Sequence, residues 1–164
     1  MKKGFLILIV FCILLSATNG YAKKKKVDVR GGAMVPRMGI MIDASYDSRL
    51  DNLVPGYKVV NVAIVNQSLS LVPLNPAKDK WWVKIAGLSG LKKVIFNLRE
   101  QKPKLWAELP QRARGLVAYP LMLPVGARQV IDIFVPEKYD LANLTEVNIF
   151  FKSFGTQINV QISQ

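Results

Sequence analysis

The chain has 164 residues, with 23 Lys and Arg against 11 Asp and Glu, for a formal charge of +12. It contains no histidine and one cysteine, Cys12. That inventory lacks the parts for Ser-His-Asp or Cys-His catalysis, for zinc sites built on thiolate or imidazole, and for dithiol redox work.

Lys2 and Lys3 open the chain, residues 5–15 form an unbroken apolar run, and residues 16–20 turn small and polar. Gly20 and Ala22 stand three before and one before a cut after Ala22, the layout of a secretory signal peptide. The apolar run is about half of the roughly 20 residues that span a bilayer. Residues 1–22 are therefore expected to be removed, leaving no transmembrane span in a mature chain that works in the periplasm or outside the cell. Cys12 sits mid-run behind Phe11, not just after the run behind small residues, so no lipid anchor is expected. The exported domain then has no cysteine and is held by its core alone.

Residues 23–36 read as a basic flexible arm. Lys23, Lys24, Lys25 and Lys26 repel one another, and Arg30-Gly31-Gly32 resists regular structure. Strands are expected after Pro36. Met38, Ile40, Ile42, Ala44 and Tyr46 alternate with smaller or more polar residues. Residues 47–56 form a polar loop closed by Pro55-Gly56, a turn pair. Residues 57–65 are apolar on both parities, the mark of a central strand covered on both faces. Asn66-Gln67-Ser68 interrupts, residues 69–74 suit a short edge strand, and Asn75-Pro76 turns the chain.

Residues 81–86 and 92–98 suggest a hairpin around Gly87-Leu88-Ser89-Gly90, with Val94, Phe96 and Leu98 on one face. Trp106, Leu109, Ala113, Leu116 and Val117 then fall at helical spacing. Pro103 and Pro110 suit first-turn positions, giving two short helical turns. After Pro124-Val125-Gly126, Ile131, Ile133 and Val135 share one face and Pro136 ends the strand. Val147, Ile149 and Phe151, then Ile158, Val160 and Ile162, describe a C-terminal hairpin. Seven to nine short strands joined by Pro/Gly turns point to an all-β fold. The expected form is an immunoglobulin-like two-sheet sandwich over residues 37–164, with a short helical insertion at about 103–118.

Two stretches carry a family resemblance. Pro55-Gly56-Tyr57-Lys58-Val59-Val60-Asn61-Val62-Ala63-Ile64-Val65-Asn66 is similar to the early strand of the telokin-like immunoglobulin-type domains of bacterial secreted proteins. Leu123-Pro124-Val125-Gly126, continuing to Ile131-Asp132-Ile133-Phe134-Val135-Pro136, resembles their later turn and strand. The resemblance spans about residues 38–162. It implies an extracytoplasmic sandwich used for interaction or envelope duties, and it supplies no catalytic residues. The helical segment around Trp106 departs from the simpler members.

Candidate sites are few. Asp43, Asp47 and Asp51 are spaced by four, but they lack the alternating ligand spacing of a calcium loop, and Arg49 lies among them. A solvated loop with local Asx turns is the expected reading, with no metal and no cofactor. The acids form no facing pair of the kind glycosidases need. Ser89 and Ser153 have lysines nearby but read as turn or surface residues. Trp81-Trp82 is the one stacking candidate. Adjacent strand residues point to opposite faces, so one ring is core and the other faces outward or is covered by the helical insertion. Packing is the plain reading, and stacking of a sugar or anionic ligand beside Lys80 and Lys84 the functional one.

The charge excess favours anionic partners such as a membrane surface or an envelope polysaccharide. Export makes intracellular nucleic acid an unexpected one. Lys23, Lys24, Lys25 and Lys26 are the leading binding residues, each contributing roughly 1 kcal/mol near an anionic bilayer. Arg112 and Arg114, with Arg128, would extend this into a patch if the fold brings them together; the alternative reading is a solvated terminal arm. The function expected is an exported, non-catalytic binding module contacting an anionic or protein partner. The alternatives are a structural accessory subunit of an envelope complex joined by strand addition and, third, an enzyme acting on envelope polymers.

Overall fold

The computed structural model describes residues 33–35, 39–51 and 53–162. Its strands are β1 (Ala33–Val35), β2 (Ile40–Tyr46), β3 (Tyr57–Asn66), β4 (Val72–Pro73), β5 (Lys80–Ile85), β6 (Lys92–Lys93), β7 (Met122–Leu123), β8 (Arg128–Pro136), β9 (Leu144–Phe151) and β10 (Thr156–Gln161). Three short helices, α1 (Leu98–Gln101), α2 (Pro103–Glu108) and α3 (Gln111–Val117), interrupt them. The fold is mostly antiparallel β. One sheet has the order β1-β2-β3-β8, the second β10-β9-β5-β6, and β4 pairs with β7 in a separate ribbon.

Alternation along each strand builds the core. Ile42, Val62, Ile131 and their neighbours two residues away point from the first sheet; Trp81, Val83, Val147, Ile149 and Val160 point from the second, all into one cluster. Each of the larger of these side chains offers about 1.5–3 kcal/mol on burial before entropy is subtracted. The two sheets meet on one side through a parallel bridge between Ala44 and Ile162. On the other side the chain leaving β6 crosses between sheets. Ile95 N–H donates to Phe134 of β8 at 3.1 Å, and Phe134 N–H returns a bond at 2.6 Å. β3 is buried on both parities because its second face also has a cover. Val59 and Phe134 pack under Leu98, Leu109 and Val117 of the helical segment.

Several expectations are corrected. Strand pairing begins at Ala33, whose partner is Ile42, so three residues assigned to the arm belong to the first sheet. The second hairpin arm pairs only at Lys92 and Lys93. Beyond it Phe96 joins the inter-sheet core, whereas Leu98 starts a helix and joins the cluster on the far side of β8. The helical segment thus begins five residues earlier than expected and has three parts, not two. Pro103 does take the first position of its helix. Leu116, expected on the packed face, is 56% exposed. The run 69–74 yields only β4, and its partner β7 carries no alternation by which two residues could be recognised.

One end of the fold is tied by Asn66. Its buried side-chain amide donates to the carbonyls of Ser70 at 2.9 Å and Leu123 at 2.8 Å and accepts from the hydroxyl and N–H of Ser68. Against this loop lies Gly39, with φ at +63°. A Cβ there would stand 2.9 Å from the Ser68 nitrogen and 3.0 Å from its Cα. Gly39→Ala is expected to destabilise by about 2 kcal/mol, from the left-handed backbone and the backbone clash together. A urea midpoint equal to wild type would refute this.

Candidate functional site

Alternation along β5 separates the two adjacent indoles. Trp81 points inward and is 1% exposed. It meets Phe151 edge-on at 5.5 Å and Phe96 at 6.0 Å, and Phe96 in turn meets Tyr119 at 5.0 Å. Trp82 points outward and is half-buried, with Asn148 opposite it on β9 and Lys93 opposite on β6. Beside it opens a cleft of about 340 Å³ between the turn before β5 and the crossing segment after β6. Trp82, Lys80 and Lys93 stand on this cleft, with Phe96, Trp81 and Gln101 further along its lining. Gln101 is fixed there because its side-chain oxygen accepts the N–H groups of Phe96 and Asn97 at 2.9 and 3.0 Å.

The acid of the cleft, Asp79, is 4% exposed and fully engaged. One oxygen accepts the Lys152 N–H at 2.9 Å. The other accepts the Asn75 N–H at 2.8 Å and the Tyr119 hydroxyl at 2.9 Å. Burial pushes the Tyr119 pKa well above the ordinary tyrosine value, and the Asp79 charge and its hydrogen bond push the same way. The Trp81 indole nitrogen has no hydrogen-bond partner of good geometry, yet lies near enough to the Tyr119 hydroxyl to oppose part of that rise. With Asp79 occupied, the surface turned to a ligand is made of ammonium groups, an indole face and amide edges.

A smaller cleft of about 170 Å³ shares Pro76 with the first and runs past Tyr119 to Trp106 and Arg99. Pro76 therefore stands between two depressions that both carry aromatic and cationic side chains. A wider depression of about 490 Å³ lies at the far end of β5, beside Lys138 and Asp140. Its polar groups serve the fold: Asp140 caps a single helical turn at Leu141–Asn143, and Lys138 leans over the Tyr139 ring.

The other expected residues are dispersed. Lys23, Lys24, Lys25 and Lys26 lie outside the described residues. Arg112 is exposed on α3. Arg114, one turn from the start of the same helix, turns its guanidinium onto the carbonyls of Leu109 at 2.8 Å and Ala107 at 2.9 Å. It thereby satisfies acceptors at the end of α2. Arg128 begins β8. Asp43 is buried on β2, Asp47 binds Arg49 and caps a helical turn, and Asp51 accepts the Tyr46 hydroxyl at 2.7 Å. Among the described residues no three His, Cys, Asp or Glu side chains are grouped to hold a metal ion. The Ser153 hydroxyl donates to the Pro73 carbonyl, and the Lys92 ammonium donates to the Ser89 carbonyl at 2.8 Å.

Lys93, Asp79, Tyr119 and Gln101 were not identified from sequence. Asp79 had a local signal, since Asn75-Pro76 followed by an acid three residues later marks a turn whose end carries a carboxylate. The others are brought in by the crossing and the helical segment, which pattern reading does not place. No helix among the described residues is long and apolar enough to cross a membrane. No protein-family model, curated protein or solved structure matches the chain.

Proposed function

We propose that the protein is an exported, non-catalytic binding module and that the cleft beside Trp82 receives an anionic component of the cell envelope. We read its two sheets as an immunoglobulin-like sandwich of the telokin-like kind. The two stretches that carry the resemblance support this, because they are hydrogen-bonded neighbours, β3 and β8, with Val62 opposite Ile131. The leader read from residues 1–22 supports export.

One observation carries the functional reading. The cleft joins an outward indole to Lys80 and Lys93, while its acid has both oxygens occupied from within the protein. A site so arranged attracts negative charge and presents a flat ring for stacking. The formal charge, +12 for the full sequence and +10 once Lys2 and Lys3 leave with residues 1–22, adds long-range attraction of the same sign.

The test is titration with a sulfated polysaccharide and, in parallel, with neutral dextran. The sulfated chain is expected to bind and dextran to bind far less. Trp82→Ala combined with Lys93→Ser is expected to weaken the sulfated polymer about tenfold, on the scale of one lost stacking contact and one lost charge. Equal binding of both polymers would overturn the reading. So would affinity that survives the double variant yet disappears when Lys23, Lys24, Lys25 and Lys26 become Ser, since that assigns the contact to the arm.

A further inference from the structure

The ribbon of β4 and β7 adjoins the start of β5, whereas the β5–β6 hairpin loop follows that strand's other end, and the ribbon presents an apolar face to solvent. Val72, Leu74 and Leu123 point into the core. The alternate positions point out: Leu71 is 50% exposed and Met122 48%, with Pro73 and Pro124 exposed beside them. The adjoining loops extend the face with Leu69, fully exposed, Leu121 and Val125. Asn66 holds these loops together through its bonds to Ser70 and Leu123. The Leu74 N–H bonds the Leu121 carbonyl at 2.9 Å.

The two segments that build this end, residues 66–77 and 115–127, contain no charged residue, in a chain with 34 of them. A contiguous exposed apolar surface of this kind marks a place of contact. Leu69 on it is fully exposed, so the surface suits a soft medium that closes around it. Cations stand at its margin. Arg128 follows the turn that carries Val125 and is paired with Val65 at the end of β3. Lys152 precedes Ser153, whose hydroxyl bonds the Pro73 carbonyl. Lys78 follows in the turn after Leu74, and all three are exposed. The nearest acid in sequence, Asp79, is buried and occupied. An apolar surface within a basic margin is complementary to a bilayer with anionic headgroups, whose charge meets the lysines and arginine while the side chains enter the acyl boundary.

We infer that the β4–β7 end of this protein seats on an anionic lipid bilayer, with Leu69, Leu71, Met122 and Val125 inserted at the interface. This contact is separate from the Trp82 cleft and stands or falls without it.

The experiment places an environment-sensitive fluorophore on Leu69→Cys in the exported chain that begins at Lys23, which has no other cysteine, and adds vesicles of phosphatidylcholine containing about one third phosphatidylglycerol. The same label on Leu88→Cys, in the hairpin loop at the other end of β5, is the control. The probe at position 69 is expected to shift to the blue and to be quenched by brominated lipid, and the probe at position 88 to stay in water. Leu69→Ser with Val125→Ser removes exposed side chains only, keeps the wild-type circular dichroism, and lowers vesicle partitioning about tenfold. Vesicles of phosphatidylcholine alone bind several-fold more weakly.

A position-69 probe that remains in water while the protein binds, or unchanged partitioning of the double variant, would overturn the inference. Blue-shifting that follows protein concentration without lipid would also overturn it, in favour of a second copy of the chain.

Discussion

Trp81→Ala is expected to cost about 3–5 kcal/mol of folding stability, the usual range for deleting a buried large aromatic side chain. Trp82→Ala, one residue on, is expected to cost about 1 kcal/mol, because a half-buried ring leaves no sealed cavity. The contrast follows from strand alternation. Trp81 bridges Phe96, which arrives from the crossing segment, and Phe151 at the end of β9. Its removal would therefore open a void where three parts of the chain meet. Trp82 touches the outer surface of the second sheet and the cleft. Urea unfolding followed by far-UV circular dichroism would read both numbers. Similar losses for the two variants would mean that the outer ring is as structural as the inner one, and the cleft would lose its stacking surface. The expected pattern is a double dissociation: Trp81→Ala unfolds easily, and Trp82→Ala folds normally but binds the sulfated polymer poorly.

Much of the fold was legible because it rests on a period of two. β2, β8, β9 and β10 place Ile40, Ile42 and Ala44, Ile131, Ile133 and Val135, Val147, Ile149 and Phe151, and Ile158 and Val160 in the inter-sheet core, Met38 lying outside the described residues. β3 divides its apolar residues between that core and the cluster behind β8. The turn pairs Pro55-Gly56 and Val125-Gly126 lie where strands begin, each glycine at positive φ. Pattern reading failed where the chain changes partner. Residues 92–98 kept alternating apolar positions while passing from one sheet to the other, so the sequence looked like a single strand. Alternation records which side is buried but not against what. Val94 and Phe96 pack between the sheets, whereas Leu98 packs behind β8. The helical segment was misjudged at its start for the same reason, since Leu98 served both periods.

The site was half legible. Neighbouring indoles on a strand must part company, and Lys80 follows from the same alternation. Lys93 depended on the hairpin register, and Tyr119 on how the helical segment returns. Arg114 shows the opposite error. Its charge suggested a partner surface, but the carbonyls left over at the end of α2 are closer and hold it. A free-standing charge count overlooks such internal acceptors.

Asp79→Ala is expected to destabilise by about 3 kcal/mol, because it strands two backbone N–H groups and one hydroxyl that the carboxylate now satisfies. Those donors come from the turn before β5, the end of β9 and the segment after α3, so their loss loosens the whole rim of the cleft. Tyr119→Phe breaks only the hydroxyl bond and should cost about 1 kcal/mol at neutral pH. Its clearer signature lies in alkali. The Tyr119 hydroxyl is held protonated by burial and by the Asp79 charge, so its folded pKa lies above the unfolded value of 10.0. Tyr46 behaves in the same way, raised to about 12 by burial and by its bond to Asp51.

Above the unfolded value the folded protein binds more protons than the unfolded chain, so stability declines as pH climbs. The contribution is complete below about pH 10 and is lost through the folded value, which for Tyr46 is about 12. Every other ionisable group is common to both proteins and cancels in the comparison. Tyr119→Phe should accordingly lose less stability than wild type as pH rises above the unfolded tyrosine value of 10.0, even though it starts lower. Urea midpoints measured across that range would converge. Parallel curves for the two proteins would show that burial does not hold the Tyr119 hydroxyl protonated, and that part of the account would have to be abandoned.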